Sequence, residues 1–344
     1  MKKLLLTISA IAALTACSKS HIEYDEPAEI ALAPVAQNIT KSMVTGTTFP
    51  AEMFNLWAYY KPIKNATIAQ WQANNGTQQT YITNKPFVPK GDGTWAGFEA
   101  SYYWPKDGSL MFAGYYPTTL PNVSYVFNSL ENYMTIPEYT PGMVTTETSH
   151  TEDVMYFNMT PTSKMSGPVE VTFRHALSWI NVVLAKSNTT PDNAKITVNS
   201  VQFTDVFKTG TGVVNNSPEE NESNEIEWTT KEGSEDDIEV CPEAVVISKG
   251  NTYPLAKQPL VIPQAISGNL VVNYTITSTD GSAFTETKTI TLNTLSGTEG
   301  SETSTINIWK PAKRYTYTIT IGTSEILIQP TVEEWKDVSV NPTI

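Results

Sequence analysis

The sequence predicts an all-β protein whose antiparallel sheets pack as β-sandwiches. Apolar and polar residues alternate over several segments, turn signals separate those segments, and helical spacing is scarce. Successive side chains of a strand point to opposite faces, so such alternation gives one buried face and one wet face. Sheets with one wet face are normally antiparallel.

The alternation is clearest in three segments. Their apolar rows are Val169, Val171 and Phe173; Val272, Tyr274 and Ile276; and Tyr315, Tyr317, Ile319 and Ile321. The turn signals are Lys90–Gly93, Pro105–Gly108, Pro141–Gly142, Ser267–Asn269 and Asp280–Gly281. Many short strands separated by frequent turns are typical of β-sandwiches.

Two segments depart from simple alternation. The apolar parity from Ile196 to Phe203 slips near Asn199–Ser200, which predicts a β-bulge, because a strand cannot otherwise change its buried face. Residues 66–74, around Ile68 and Trp71, are the best candidate for a short helix.

The first seventeen residues predict export. Lys2 and Lys3 precede an apolar run over residues 4–13, and Leu14 to Cys17 close the segment. A permanent transmembrane helix needs about twenty apolar residues, so this shorter run reads as a cleaved secretory signal. Its ending resembles the lipobox of bacterial lipoproteins, in which the thiol of Cys17 receives diacylglycerol. The alternative is an ordinary signal peptide with a chance cysteine.

The remaining 327 of 344 residues suffice for two domains. The predicted organisation is a lipoprotein signal peptide with lipobox at 1–17, a tether at 18–36, an N-terminal β-sandwich domain at 37–187 and a C-terminal one at 188–344. The polar stretch Ser187–Asn193 marks the boundary between the domains. An acidic loop is predicted at 216–243 within the second domain.

Charge and cysteine content narrow the function. The net charge is −13, and the segment Pro218–Glu243 holds eleven acidic residues against Lys231 alone. With no basic cluster, the chain is a poor nucleic-acid binder. Once Cys17 is assigned to lipid, Cys241 has no partner for an intrachain disulfide. Its acidic surroundings raise a thiol pKa, which favours a structural or incidental role.

No catalytic or metal-binding constellation stands out, so the chain is predicted not to be an enzyme and to need no cofactor or metal. The histidines His21, His150 and His175 are scattered, and the acidic segment lacks the ligand spacing of a calcium loop. His175 as a general base stays open, although a strand histidine satisfied by neighbouring backbone is the preferred interpretation. Spacing does not pair any two carboxylates for glycoside hydrolysis.

Aromatic residues leave one alternative open. They concentrate in the first half of the chain, at Trp57, Tyr59, Tyr60, Trp95, Tyr102, Tyr103, Trp104, Tyr115 and Tyr116. Exposed aromatic platforms stack on sugars, so a monomeric cell-surface glycan-binding lipoprotein is the alternative function. Their alternating arrangement favours core positions for most of them.

Several motifs, in order, resemble the fimbrillin family of the Bacteroidetes, which includes major and minor fimbrium subunits. They are Ser101–Pro105 with Gly108, Leu110–Pro117, Glu152–Tyr156, Val169–Ser178, Trp309–Pro311 with Tyr315 and Tyr317, and Ile326 with Ile328 and Trp335. Together with the lipobox, the resemblance spans residues 17–344.

The resemblance implies two tandem transthyretin-like antiparallel β-sandwich domains and a role as a stalk or tip subunit of a surface fimbria. It also implies an outer-membrane lipoprotein precursor that reaches the cell surface. Its partners would then be other fimbrial subunits, in a homo- or hetero-polymer, the outer membrane through the N-terminal lipid, and a host or bacterial surface ligand if the subunit is adhesive.

Assembly in this family proceeds by donor-strand exchange after proteolytic removal of an N-terminal strand. Lys41 stands where the family usually has an arginine cleavage site, and it suits a trypsin-like protease rather than an arginine-only one. The strand to be removed is predicted at 28–41, with Ile30 and Leu32 alternating before a break at Pro34. The predicted donated strand lies within 326–344 and includes Ile326, Leu327, Ile328, Val332 and Trp335. Ala312 replaces a glycine that the family often has before its last tyrosine strand.

Overall fold

The all-β class is confirmed by a computed structural model. The structure describes residues 28–36, 49, 51–67, 70–71, 79–127, 132–144, 153–158, 162–163, 167–215, 226–323 and 325–334. Strands dominate this described part, joined by turns and by one short 3-10 helix at Leu292–Thr294. Within those same residues no helix has the length and apolar character needed to span a membrane.

Strands β1 to β13 belong to the first 215 residues. They are β1 (Leu32–Ala36), β2 (Phe54–Lys61), β3 (Gln79–Pro89), β4 (Trp95–Gly97), β5 (Ser109–Tyr116), β6 (Ser124–Phe127), β7 (Asn132–Tyr139), β8 (Met143–Val144), β9 (Met155–Asn158), β10 (Val169–His175), β11 (Ser178–Lys186), β12 (Lys195–Phe207) and β13 (Gly210–Asn215).

Strands β14 to β26 complete the set. They are β14 (Ile226–Thr230), β15 (Glu235–Glu239), β16 (Val245–Ile247), β17 (Thr252–Pro254), β18 (Gln258–Val261), β19 (Gln264–Ala265), β20 (Asn269–Thr277), β21 (Ala283–Thr291), β22 (Ser296–Glu299), β23 (Glu302–Thr305), β24 (Ile308–Trp309), β25 (Lys313–Ile321) and β26 (Ile326–Glu334).

Seven strands form a closed sheet in the order β1-β10-β9-β5-β2-β3-β4, and β4 returns to β1. In the second half, an eight-stranded sheet (β23-β22-β26-β25-β11-β18-β8, with β17 beside β11) faces a five-stranded one (β15-β12-β20-β21, with β16 beside β12). We call these two sheets the C-terminal sandwich. A four-stranded sheet, β14-β13-β7-β6, combines strands from both halves of the chain.

Three apolar clusters fill the spaces between these sheets. One lies inside the closed sheet around Phe54, Phe112 and Phe173. A second lies between the two faces of the C-terminal sandwich, and a third joins the closed sheet to the four-stranded sheet. The strand β2 contributes Leu56 to the first cluster and Trp57 to the third, so both of its faces are buried. This explains why β2 and β5 are nearly continuous apolar runs rather than alternating ones.

The predicted alternations hold in β10, β20 and β25, and the predicted bulge is present because the β12–β20 register shifts between Val198 and Ser200. The predicted helix is represented by a turn at residues 70–71, where the Trp71 N–H donates to the Thr67 carbonyl. The rest of the helix prediction lies largely outside the described residues.

Other features were not anticipated from alternation. Three strand pairs are parallel, namely β1–β10, β11–β25 and β22–β26. Within the predicted acidic loop, the chain forms β14 and β15, so most of that described segment is sheet rather than loop. The strand β11, which the predicted boundaries assign to the first domain, pairs over nine residues with β25. The strand β1 falls within the predicted tether and also within the strand predicted at 28–41, and it completes the closed sheet.

Candidate functional site

The candidate site is the place where the N-terminal strand closes the first sheet. We call residues 28–36 the plug segment. Five of them, Leu32 to Ala36, pair in parallel with β10, from Leu32 opposite Val169 to Ala36 opposite Phe173. On the other side, the Ile30 N–H donates to the Tyr102 carbonyl at 2.7 Å and Leu32 pairs with Trp95. The plug segment is therefore a strand inserted between two walls.

Alternate side chains of the plug segment fill the core of the closed sheet. Ile30 and Leu32 are fully buried, Pro34 is buried, and the intervening Ala31, Ala33 and Val35 are half-buried. Each fully buried aliphatic side chain is worth roughly 1.5–3 kcal/mol relative to exposure. Side-chain burial therefore holds this strand in place.

Pro34 does not break the strand, contrary to the sequence prediction. The Val169 N–H donates to the Ala31 carbonyl, so the backbone groups of every second residue from Ala31 point toward β10. The backbone groups of the other residues, Ile30, Leu32 and Pro34, point instead to the opposite wall. On that side, only Leu32 pairs with β4. The N–H that proline lacks thus falls on the sparsely paired side, where a strand tolerates proline.

The walls around the plug segment are rich in aromatic side chains. Phe173 stacks on Phe49 with ring centroids 4.2 Å apart, and Phe54 meets Phe173 edge to face at 5.2 Å. The Trp95 indole N–H donates to the Glu52 carbonyl at 2.8 Å, which fixes the wall opposite β10. These rings line the core that Ile30 and Leu32 enter.

A buried polar pair supports the β10 wall. His175 Nδ1 lies 2.7 Å from Asp153 Oδ2, and both side chains are almost fully buried. The Asp153 carboxylate therefore orients the His175 ring, a contact that the sequence interpretation did not include. Two of the motifs that carry the family resemblance meet in this contact, because β9 and β10 pair at Met155 and His175. The only sequence signal that could have predicted the contact between Asp153 and His175 was that both the acidic motif and the histidine motif of the family occur in this chain.

The predicted donated strand is built into the C-terminal sandwich. The strand β26 pairs with β25 over nine residues and with β22 at Thr331 and Val332. Ile326 and Ile328 pack partly against the sandwich core and Val332 is buried, whereas Leu327 is 52% exposed. Cys17, Lys41 and Trp335 lie outside the described residues.

A charge cluster holds the end of β26. The Lys313 ammonium donates to Glu299 Oε1 at 2.7 Å and also to Glu334 Oε1, so it bridges β22, β25 and β26. Partial burial acts to lower the pKa of Lys313, but the hydrogen bonds and charges of Glu299 and Glu334 outweigh it and raise this pKa. The cluster is the only three-strand ion bridge that the described residues show.

Within the described part of the chain, two other buried side chains that are reactive or charged, Cys241 and Lys61, contact neighbouring protein groups. Cys241 is buried, and burial together with Glu239 raises the pKa of its thiol. The fully buried Lys61 donates to the Gln70 and Trp71 carbonyls, and burial lowers its pKa. Among the described residues no three His, Cys, Asp or Glu side chains form a group able to hold a metal.

The aromatic residues are mainly core. Six of the nine named above are buried, namely Trp57, Tyr59, Trp95, Trp104, Tyr115 and Tyr116. Tyr103 is 43% exposed and accepts a hydrogen bond from the Tyr81 hydroxyl through its carbonyl. Among these nine residues, the described structure therefore leaves little surface for the broad aromatic platform that the glycan-binding alternative requires.

Solved structures that resemble this chain come from species of Bacteroides. A putative cell adhesion protein from Bacteroides uniformis is 18% identical with a TM-score of 0.50, covering 90% of this chain and 99% of that one. One from Bacteroides ovatus is 14% identical with a TM-score of 0.51, covering 90% and 98%. A fimbrial protein from Bacteroides vulgatus is 17% identical with a TM-score of 0.49, covering 90% and 99%. No curated protein matches the chain.

Sequence comparison completes the assignment. Residues 1–18 match the lipid attachment site of prokaryotic membrane lipoproteins, which together with the fold defines a membrane-anchored all-β surface protein. The sequence model described as fimbrillin-like matches residues 52–335. The chain belongs to the fimbrillin-like family, and this membership makes it a fimbrial subunit by class.

Proposed function

We propose that this protein is a stalk or tip subunit that polymerises by donor-strand exchange after cleavage at Lys41 releases the plug segment. The single observation that carries the proposal is that residues 28–36 occupy a strand position inside the closed sheet with Ile30 and Leu32 fully buried. A segment that occupies its own groove in this way is replaceable by another strand with the same side-chain spacing.

The energetics favour replacement over an empty groove. Removing the plug segment exposes the pockets of Ile30 and Leu32 and leaves the edge of β10 unpaired over five residues. An unpaired, apolar sheet edge is a template for a strand from another chain. The released free energy drives association, and the role of the protein is structural rather than enzymatic.

The lipid anchor is consistent with the same sequence of cleavage and polymerisation. We propose that Cys17 carries the lipid in the outer-membrane precursor, and that cleavage at Lys41 removes both anchor and plug segment in one step. Two acyl chains on one cysteine give stable anchoring, so cleavage would release the subunit from the membrane as it becomes competent to polymerise. An adhesive role toward a host or bacterial surface would then belong to the assembled fimbria.

The test is limited trypsin digestion of purified residues 18–344, which lack the signal peptide and Cys17, with cleavage at Lys41 verified by mass. We expect a ladder of SDS-resistant oligomers. The matched control is Lys41→Gln, which should stay uncleaved at this site and monomeric. Clean cleavage at Lys41 with loss of the plug segment and no larger species would exclude the proposed function.

A further inference from the structure

We infer that two copies of this chain associate through strand β21, which pairs antiparallel with the same strand of the second copy about a two-fold axis at Thr287. This surface is separate from the closed sheet that holds the plug segment, because β21 belongs to the C-terminal sandwich. The inference therefore goes beyond the proposed function and does not depend on strand exchange. It gives the chain a lateral contact with another copy of itself.

The strand β21 is an open edge of the five-stranded sheet. Among the described strands it pairs with β20 alone, over nine residues without a register shift. It contains no proline and no bulge, two features that commonly protect a sheet edge. Six of its nine residues are exposed and none is buried. A regular, unpaired edge of this length is able to accept another strand.

The backbone groups of alternate β21 residues point to the open side. In the turn before β21, the Ser278 N–H donates to the Ser282 carbonyl at 2.8 Å. Because hydrogen-bonded pairs alternate along an antiparallel ladder, the even-numbered residues of β21 bond to β20 and the odd-numbered ones face outward. The outward set is Ala283, Thr285, Thr287, Thr289 and Thr291. A two-fold axis at Thr287 pairs these residues with one another and satisfies their N–H and C=O groups.

The side chains of β21 are complementary to themselves in this register. Those on the core side of the sheet are, in order, Phe284, Glu286, Lys288 and Ile290. The two-fold axis places Glu286 opposite Lys288 of the second copy. It also places Phe284, which is 61% exposed in the single chain, opposite Ile290 of the second copy. These are non-hydrogen-bonded positions, where Cα atoms lie about 4.5 Å apart and side chains are closest.

Neighbouring registers lose this match. Moving the axis by one residue keeps the outward backbone groups paired, but it sets Glu286 opposite Glu286 or Lys288 opposite Lys288. Like charges directly opposite each other destabilise a strand pair. Charges on an edge strand ordinarily oppose pairing. In β21 the same charges instead favour one register over those beside it.

The charged pair is already assembled in the single chain. Lys288 Nζ lies 2.5 Å from Glu286 Oε1, and the Tyr274 hydroxyl donates to Glu286 Oε2 at 2.8 Å. Hydrogen bonds from Lys288 and Tyr274 lower the pKa of Glu286, so its carboxylate is ionised at neutral pH. The side chains of Glu286 and Lys288 are still 31% and 42% exposed. A second copy would therefore meet an accessible pair of charges and complete a ring of four.

The outer face of the sheet offers a second match. The Asn273 side-chain amide donates to the Thr287 hydroxyl at 2.7 Å, and the hydroxyls of Thr275 and Thr285 lie 2.9 Å apart. A polar ladder thus runs from β20 to β21. In the dimer, Thr285 would face Thr289 and Thr287 would face its own copy, which extends this ladder, since facing threonines stabilise strand pairs.

A single strand pair is a small contact. Stable specific interfaces bury roughly 1,200–2,000 Å², and one strand pair buries less, so we expect a Kd on the order of 0.1 mM. In the proposed fimbria the contact would be repeated along the shaft, so two shafts would bind more tightly than two subunits.

Charge reversal tests the surface in purified, uncleaved residues 18–344. Glu286→Lys and Lys288→Glu should each weaken self-association by about tenfold or more in sedimentation velocity, because like charges then face each other. An equimolar mixture of the two variants should associate at least as tightly as wild type, since every lysine then faces a glutamate. This rescue distinguishes a lost contact from a misfolded chain. A mixture no tighter than either variant alone, or a wild type that stays monomeric at all concentrations, would overturn the inference.

Cysteine pairs measure the register. Phe284→Cys chains mixed with Ile290→Cys chains should give a covalent dimer on oxidation, since facing Cα atoms about 4.5 Å apart are within disulfide range. Each variant alone is the matched control, because its two thiols lie roughly 20 Å apart along the strands. We expect about tenfold or more product in the mixture. Equal yield from either variant alone would overturn the register, and association without any crosslink would overturn the surface. No cleavage is involved, so none of these outcomes bears on the proposed strand exchange.

Discussion

The segments 29–36 (EIALAPVA) and 325–332 (EILIQPTV) share a pattern of alternating aliphatic residues followed by proline, but they are held in opposite ways. The strand β1 has five pairs with β10 and a single pair with β4, while Leu32 within it and Ile30 just before it are fully buried. The strand β26 has nine pairs with β25, an ion bridge through Lys313 and only partly buried Ile326 and Ile328. Pockets retain the first strand, whereas a long ladder and charges retain the second.

This difference bears on which strand would leave its sheet in the proposed strand exchange. A backbone ladder forms with almost any partner strand, but a set of pockets selects side chains at fixed spacing. In the proposed exchange, the closed sheet would therefore supply the selective groove, whereas β26 would stay in the C-terminal sandwich. Four predictions would break or sharpen this comparison.

The largest effect is expected for Leu32→Ala. Truncating a fully buried leucine costs about 2–5 kcal/mol, and here it should lower the free energy for opening β1. Native-state hydrogen exchange of the Val169 amide, which donates to Ala31, should accelerate by about 30-fold or more. The matched control is Leu327→Ala in β26, which is 52% exposed and should change stability by about 0.5 kcal/mol or less. Equal effects at the two sites would contradict a pocket-held β1.

The next effect concerns the charge cluster on β26. Lys313→Met keeps the side-chain stem but removes the bridge to Glu299 and Glu334, at a cost of about 1 kcal/mol after allowing for solvent screening. Chemical denaturation of the wild type and the variant measures this difference in the free energy of unfolding. The exposed pair Lys288–Glu286 offers the control, since Lys288→Met should cost less.

The stability that Lys313 contributes should depend on pH in a definite direction. The folded state raises the pKa of Lys313 above its ordinary value of 10.5, so the cluster contributes fully below that value. Its contribution is lost as the pH rises through the folded pKa. The stability difference between wild type and Lys313→Met should therefore be constant near neutral pH and shrink above about pH 10.5. A difference that persists unchanged in strong base would argue for a packing effect instead.

A smaller gain is expected at the turn before β25, the ladder partner of β26. Ala312 has φ of 55°, a left-handed conformation that costs a residue with a Cβ about 1–2 kcal/mol. Glycine relieves this cost but loses more backbone entropy on folding, so Ala312→Gly should stabilise the protein by about 0.5–1 kcal/mol. Thermal unfolding measures the change, and Ala283→Gly, in the exposed strand β21, should destabilise instead. A loss of stability in Ala312→Gly would refute the strain.

The smallest effect is expected for Pro34→Ala. Because Pro34 lies where it removes no ladder hydrogen bond, Pro34→Ala should lower the free energy of unfolding by about 1 kcal/mol or less, through the greater entropy of the unfolded chain. Moving the proline by one position, in Val35→Pro, should cost more, since the Val35 N–H faces β10. Hydrogen exchange of β10 amides compares the two variants, and a larger loss for Pro34→Ala would show that the inferred strand parity is wrong.

Local features were predictable to the extent that they are encoded locally. The alternation in β10, β20 and β25 and the bulge in β12 follow from side-chain periodicity alone. The parallel pairs, the closure of the first sheet and the four-stranded sheet shared by both halves do not, because periodicity says which face is buried and not which strand lies beside it. The contact between Asp153 and His175 spans 22 residues, and alternation carries no signal for it.

The sequence by itself determined the strand faces, the export signal and the positions of Pro34 and Pro330 within segments 29–36 and 325–332, since each depends on neighbouring residues only. Tertiary structure alone decided that the first of these segments closes a sheet through buried pockets, while the second is fixed by a long ladder and an ion bridge. The physical reason is that pairing partners are chosen by contacts between residues far apart in the chain, here between β1 and β10 and between β22, β25 and β26.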